Sequence, residues 1–285
     1  MPGRLVLCAT PIGNLDDVSP RLIATLGAAD VVFAEDTRRT RTLLGALGIT
    51  PPPLRSFYVG NENRRLGELR ARLEAGETVA LVTDAGTPAV ADPGLSAVRV
   101  ADEAGAKVTV IPGPSAVTAA IALSGLPSER FAFEGFLPRS GADRQRRLDE
   151  LSVEERTIVL FSATRRVVED LSDLATALGG DRVVVIGREL TKVHEERWRG
   201  TLAEAADHWG DVEARGEFTL VVAPLTRAKR ADYSGAVAEV ARLRGEGASL
   251  PQAVKSAATD HEVDRRSLYR LVVADPGEPA EETLS

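Results

Sequence analysis

The chain has 285 residues, 44% of them hydrophobic and 27% charged, with a formal net charge of −7. This length accommodates two domains that each bury a core. No uninterrupted apolar stretch approaches the about 18 residues that span a bilayer, and the acidic balance argues against unspecific polyanion binding. The single cysteine, Cys8, excludes an internal disulfide and reads as a buried, inert thiol on a strand. The three histidines, His194, His208 and His261, show no metal-ligand spacing, so no metal site is expected. The amino terminus enters a strand at once and lacks a secretion-signal pattern, so a cytoplasmic location is expected.

In chain order, the apolar run Leu5–Cys8 reads as a strand, followed by Ser19 as an N-cap, Pro20 at the first helical position and a short helix to Leu26. Val31–Ala34 is a second strand. The loop Glu35-Asp-Thr-Arg38 opens a helix to Leu47, stopped by Gly48, and Leu54 to Tyr58 reads as a further strand. An amphipathic helix spans Glu62–Glu74. Strand Thr78–Val82, helix Leu95–Ala104 and strand Lys107–Ile111 complete an alternation that implies a parallel sheet with helices on both faces.

The second half is expected to be mixed α/β. Phe131–Phe136 and Thr157–Phe161 read as strands around a polar helix, with further strands at Arg182–Gly187, His194–Trp198 and Phe218–Ala223, and a helix from Thr201 to Trp209. After a break near Pro224 the pattern is helical from Ala228 to Val273, with Ala236, Val237, Val240 and Leu243 on one stripe and Val254, Ala257 and Ala258 on another. The segments Ser249–Ala258 and Val263–Tyr269 are weakly similar to a helix-turn-helix. Residues Asp275–Ser285 read as an acidic, disordered tail. The expected domains are 1–113, 114–225 and a helical appendage with its tail over 226–285.

Three loops rich in turn formers follow strands of the first sheet: Ala9–Asp16, Asp84–Gly94 and Pro112–Ser115. Loops at the carboxyl edge of a parallel sheet are where open α/β folds hold ligands. The first turn lacks the three-glycine dinucleotide fingerprint, and no Gly-Lys-Ser/Thr occurs, so neither a Rossmann cofactor nor a P-loop nucleotide is supported. Asp84 and Asp92 would repel a polyphosphate and suit a ligand with a positive centre or with hydroxyls and amines to recognise.

These loops carry a resemblance. Ala9-Thr-Pro-Ile-Gly-Asn-Leu15, Ala34-Glu-Asp-Thr-Arg38, Asp84-Ala-Gly-Thr-Pro88 with Asp92-Pro-Gly94, Ile111-Pro-Gly-Pro-Ser-Ala116, Phe133-Glu-Gly-Phe-Leu-Pro138 and Glu189-Leu-Thr-Lys192 with Glu195-Glu196 appear in order over residues 4–225. In these strings the chain resembles the tetrapyrrole-methylase superfamily and, within it, the bacterial small-subunit ribosomal RNA 2′-O-ribose methyltransferases acting on cytidine. The resemblance implies two α/β domains with S-adenosylmethionine held in the cleft between them, a small helical appendage, and a homodimer. It implies cofactor contacts at Pro11, Ala85, Gly86, Thr87, Val90, Ser115, Ala116, Phe161 and Leu190, with Asp84 added as a neighbouring contact. After Phe161 the family's Pro-His-Arg-like triplet is replaced by Ala163-Thr164-Arg165, so a role for that histidine is absent.

The implied substrate is 16S ribosomal RNA within the small subunit, with no membrane partner. Methyl transfer to a ribose needs alignment and help with a proton, for which Glu35, Asp36, Lys192 and Glu195 are the candidates. Lys192 either serves as a base or, paired with Glu195, stays charged as a clamp. Asn14, Arg38 and Lys192 are expected to position RNA. Further arginines stand at Arg39 and Arg41, at Arg139, Arg144, Arg146 and Arg147, at Arg165 and Arg166, and in the tail at Arg265, Arg266 and Arg270. Two rival readings share the fold: a C-methyltransferase of a tetrapyrrole, and a non-catalytic RNA-binding or assembly protein.

Overall fold

The computed structural model describes residues 2–211, 215–225 and 227–274, with backbone only at 227–232 and 274. The acidic tail expected over 275–285 lies outside the described residues. The chain divides into two compact units, Met1–Leu123 with Gly187–Arg197, and Ser124–Ile186 with Trp198–Ser285.

In the first unit β1 (Arg4–Cys8), α1 (Pro20–Gly27), β2 (Val31–Ala34), α2 (Thr37–Ala46), β3 (Leu54–Ser56), α3 (Glu62–Glu74), β4 (Thr78–Val82), α4 (Leu95–Glu103) and β5 (Lys107–Ile111) follow one another. The strands form a wholly parallel sheet in the order β3-β2-β4-β1-β5. Alternation along each strand sorts its side chains to opposite faces. Val6, Cys8, Val32, Ala34, Ala80 and Val82 pack against Leu22 and Leu26 of α1 and Leu44 of α2. Leu5, Val31, Phe33, Val79 and Leu81 pack against Leu69 and Leu73 of α3 and Ala97, Val100 and Ala101 of α4. With both faces covered, β2 and β4 read as near-continuous apolar runs, which is why they were legible as strands.

Local signals act as expected at α1, where Ser19 Oγ accepts from the Leu22 amide at 3.1 Å and Pro20 starts the helix. The strand expected over Leu54–Tyr58 ends at Ser56. There the Asn61 side chain accepts from the Tyr58 amide at 2.9 Å and donates to Ser56, folding the chain into the turn that opens α3.

Next come α5 (Ala116–Ser124), β6 (Phe131–Phe136), α6 (Gly141–Ser152), β7 (Thr157–Ser162), α7 (Val167–Leu178), β8 (Val183–Arg188), β9 (Glu196–Thr201), α8 (Leu202–Asp211) and β10 (Phe218–Val222). The second sheet has the order β6-β7-β10-β8-β9 and is mixed: β6 and β7 run parallel, β7 and β10 antiparallel. Ile158, Leu160, Val184, Ile186, Leu220 and Val222 face a core built with α6, α7 and α8 and closed by Trp209.

Three sequence expectations are corrected here. The strand placed at His194–Trp198 begins at Glu196 and runs to Thr201, because Glu189–Glu195 turns back through backbone bonds from Lys192 to Glu189 and from Glu195 to Lys192. Two helices went unassigned: α5, whose run AVTAAIALS shows little apolar asymmetry, and α7, whose stripe Val167, Leu171, Leu174 and Leu178 lies behind the Arg165-Arg166 pair. Arg144, grouped in the sequence with Arg139, Arg146 and Arg147, is buried. It bonds Asp170 at 2.8 Å, Asp173 at 2.7 Å and the Pro138 carbonyl, so it holds α6 to α7.

The helices α9 (Arg227–Gly245), α10 (Leu250–Asp260) and α11 (Arg265–Ala274) complete the described chain. Ala236 and Val240 bury against Val254, Ala257, Ala258 and Leu268, so the two apolar stripes read in the sequence face each other. Among the described residues no helix is long and apolar enough to cross a membrane.

Candidate functional site

Because every strand of the first sheet runs the same way, the loops after β1, β2, β4 and β5 share its carboxyl edge. Adjacent strands β1 and β4 bring their loops together, and Thr10 and Gly86 exchange backbone hydrogen bonds of 2.9 and 3.1 Å in an isolated antiparallel bridge. Thr10 Oγ1 also donates to the Thr83 carbonyl at 3.2 Å. Gly86 sits at φ +78, a left-handed conformation that a side chain would strain. A cavity of about 190 Å³ opens here, lined by Thr10, Pro11, Gly13, Arg39, Thr83 and Asp84 among others.

Carboxylates converge on this edge. Asp84 Oδ1 accepts from the Asp36 amide at 3.1 Å and its Oδ2 from Arg39 at 3.2 Å, while Glu35 Oε2 accepts from the Asp84 amide at 3.2 Å. Burial, reinforced by the charges of Glu35 and Asp84 against a hydrogen bond from Thr83, pushes the Asp92 carboxyl up to about 6. Asp36 goes the other way: hydrogen bonds from the Arg38 guanidinium and amide hold it well below the usual carboxylate range. Among the described residues no group of three or more His, Cys, Asp or Glu side chains is arranged to hold a metal ion.

The loop Asp84–Gly94 is held in sparsely populated backbone conformations, with Ala89 at φ 68, Ala91 at φ 61 and Gly94 at φ 146. The segment Glu189–Lys192 has the same character, with Glu189 at φ 50 and the β-branched Thr191 at φ 68. Outside glycine such conformations cost on the order of 1–3 kcal/mol each and cluster at ligand sites. Here they turn Glu189 toward Lys192, whose Nζ donates to Glu189 Oε1 at 2.7 Å. Glu195, the partner of Lys192 in one of the two sequence alternatives, accepts from the Thr191 amide at 2.6 Å. Thr191 Oγ1 is buried without a hydrogen-bond partner among the described residues, and buried hydroxyls of this kind call for a ligand or water.

Of the sequence-derived residues, Pro11 and Asp84 line the cavity. Ala85, Gly86, Thr87 and Val90 occupy the loop after β4, while Ser115 ends the turn after β5 and Ala116 opens α5. Leu190 is buried and packs on Gly187, so it has a structural task in its own right. Asn14 caps the short 3-10 turn Leu15–Asp17 by accepting from the Asp16 amide, and Arg38 is exposed and fastened to Asp36. Phe161 lies in the second unit, on the face of β7 opposite Leu160, with ring centroids 5.0 Å from Phe133 and 5.5 Å from Phe136. The roles of Gly13, Thr83, Glu189 and Thr191 escaped the sequence reading; the signal for Gly13 was its place in the Pro-Ile-Gly-Asn turn.

A cationic donor fits what the first unit presents. Glycine at Gly86 and the turn Pro112–Ser115 allow backbone to approach a ligand, and the excess of negative charge at Glu35, Asp84 and Asp92 favours a positive centre.

Comparison with known proteins gives concordant results. Residues 4–206 match the family described as Tetrapyrrole (Corrin/Porphyrin) Methylases. A Synechocystis protein named ribosomal RNA small subunit methyltransferase I is 44% identical over 94% of this chain and 97% of its own. A Mycobacterium bovis protein of the same name is 45% identical over 98% and 99%. A uroporphyrin-III C-methyltransferase structure from Thermus thermophilus, complexed with S-adenyl homocysteine, is 20% identical with a TM-score of 0.54 over 79% of this chain and 99% of that one, a likeness of fold.

Proposed function

The chain belongs to the tetrapyrrole (corrin/porphyrin) methylases, and from that membership we propose that it is an S-adenosylmethionine-dependent methyltransferase acting on the 2′-oxygen of a cytidine ribose in 16S ribosomal RNA. The observation that carries this reading is similarity over nearly the full length to proteins named ribosomal RNA small subunit methyltransferase I. The working form we propose is a cytoplasmic homodimer acting on RNA within the small ribosomal subunit.

When bound, S-adenosylmethionine supplies a methyl group on a positively charged sulfur with a good leaving group. The chain's part is to bind, orient and handle a proton. We assign donor binding to Pro11, Asp84, Ala85, Gly86, Thr87, Val90, Ser115, Ala116, Leu190 and Phe161. The acidic trio Glu35, Asp84 and Asp92 compensates the donor's charge.

The four catalytic candidates separate by their surroundings. Asp36, tied to Arg38, is a weak base and orients that arginine. Glu195 is occupied with the Thr191 amide and fixes the strained turn. Lys192, ion-paired with Glu189 at 2.7 Å, suits a phosphate or ribose clamp. Glu35 uses Oε2 for the Asp84 amide and keeps Oε1 without a partner among the described residues, which suits it to accept the ribose proton. Asn14 and Arg38 complete the RNA contacts in this proposal.

The test incubates the purified protein and labelled donor with small ribosomal subunits lacking the modification, then maps the label. Label on one cytidine ribose is expected. No transfer, or label on a base, would overturn the reading.

A further inference from the structure

A second cavity lies far along the chain from the loops of the candidate site. It is a groove of about 690 Å³ between α6, α7 and α11, a volume typical of ligand clefts. Its floor is fixed: Ser152 Oγ and Ser267 Oγ meet at 2.6 Å in a buried contact, and Arg270 lies 3.7 Å from Asp149.

Three carboxylates line the groove, and each is engaged. Asp149 accepts from Gln145 at 2.7 Å, Asp173 is paired with Arg144, and Asp264 accepts from the Ser267 amide at 2.7 Å. Two arginines of the same lining, Arg265 and Arg266, are exposed and have no ion-pair or hydrogen-bond partner among the described residues. Tyr269, one turn further along α11, is 43% exposed. Residues 227–274 carry nine basic and six acidic side chains, whereas the whole chain is at −7. Unpaired guanidinium groups beside an exposed aromatic ring, on a locally basic element, are what a single nucleic-acid strand requires: cations for phosphates and a flat face for a base.

We propose that this groove holds a single-stranded segment of the substrate RNA away from the reacting nucleotide, with phosphates on Arg265 and Arg266 and a base stacked on Tyr269. The inference rests on RNA being the substrate and adds a second contact region to it. It also answers how an acidic protein retains an RNA: the attraction is local.

The test compares the full chain with an Arg265→Ala/Arg266→Ala variant and with Tyr269→Ala and Tyr269→Phe. Binding of a single-stranded oligouridine is followed by fluorescence anisotropy over a salt series. Losing two phosphate contacts lowers the slope of log affinity against log salt by about 1.4, from roughly 0.7 per contact on a single strand. Tyr269→Ala weakens binding about five- to a hundredfold, and Tyr269→Phe, which keeps the ring, restores it. With small ribosomal subunits, KM rises in the double variant while kcat and the calorimetric donor affinity stay at wild-type values.

Unchanged oligouridine affinity and salt slope in the double variant would overturn the proposal. So would a defect seen with assembled subunits and absent with oligouridine, which would assign the groove to a ribosomal protein. Absence of methyl transfer by the wild-type chain would sink the proposed activity instead, and the anisotropy comparison would still judge the groove.

Discussion

Gly13 presses its bare α-carbon against the Lys192 loop: a β-carbon there would overlap Lys192 Cγ and stand 2.8 Å from Thr191 Oγ1. The first loop of the chain and the Glu189–Lys192 turn are therefore fitted to each other with no room for a methyl group. Gly13→Ala is expected to displace Lys192 and lower kcat/KM for RNA on the order of a hundredfold, since small misplacements near a reacting centre are costly. Thermal stability should fall by far less than a core deletion would cause. Wild-type kcat/KM in this variant would show that the contact does not position Lys192.

Glu189 acts through Lys192. Glu189→Gln keeps the shape and removes the charge that orients the ammonium, so RNA KM should rise with donor affinity unchanged. Lys192→Met should cost more than Glu189→Gln, and the double variant should be no worse than Lys192→Met alone. Additive losses, measured in steady-state kinetics, would separate the two residues.

Asp92 makes stability depend on pH. In the folded state its carboxyl keeps its proton up to about pH 6, whereas the unfolded chain releases it near 3.8. Stability is thus lost as pH rises through that window, because the native state binds more protons there. Asp92→Asn should raise unfolding free energy at pH 7.5 by about 1 kcal/mol, a figure discounted for partial solvent screening. The gain should shrink toward pH 4 in urea titrations. Donor affinity should follow the opposite sense, weakening below about pH 6 as the trio loses negative charge, and Asp92→Asn should flatten that dependence.

Arg144 and Asp170 form a buried pair with side chains 6% and 5% exposed, and Ser162 Oγ donates to the second Asp170 oxygen at 2.6 Å. Arg144→Ala leaves that buried carboxylate with only the longer ion contact to Arg166, at 3.9 Å, and should cost about 3 kcal/mol in chemical denaturation. Donor affinity of the molecules that remain folded should be unchanged. A small stability loss would mean that the pair is replaceable.

Cys8 sits fully buried in β1, and burial pushes its thiol up to about 12. Native protein at pH 8 should resist alkylation by iodoacetamide, and protein unfolded in guanidinium should react at once. Rapid labelling of the native chain would place the thiol outside the sheet.

The sequence by itself determined the βα order of the first sheet and the loops that carry the candidate site. Buried parallel strands must be apolar on both faces, as Val31–Ala34 and Thr78–Val82 are, and glycine and proline mark the places where such strands open into ligand loops. It also determined the apolar stripes of α9 and α10, because helical periodicity is local. Tertiary structure alone decided that Lys192 pairs with Glu189 instead of Glu195, since that choice depends on left-handed backbone at Glu189 and Thr191 and on Gly13, remote in sequence, packing against them. It decided that Arg144 is a buried tie while Arg265 and Arg266 are left unpaired among the described residues, because an arginine's partner is fixed by which helices meet. Period and composition record which side chains are apolar; they do not record which charges the folded chain brings within reach of one another.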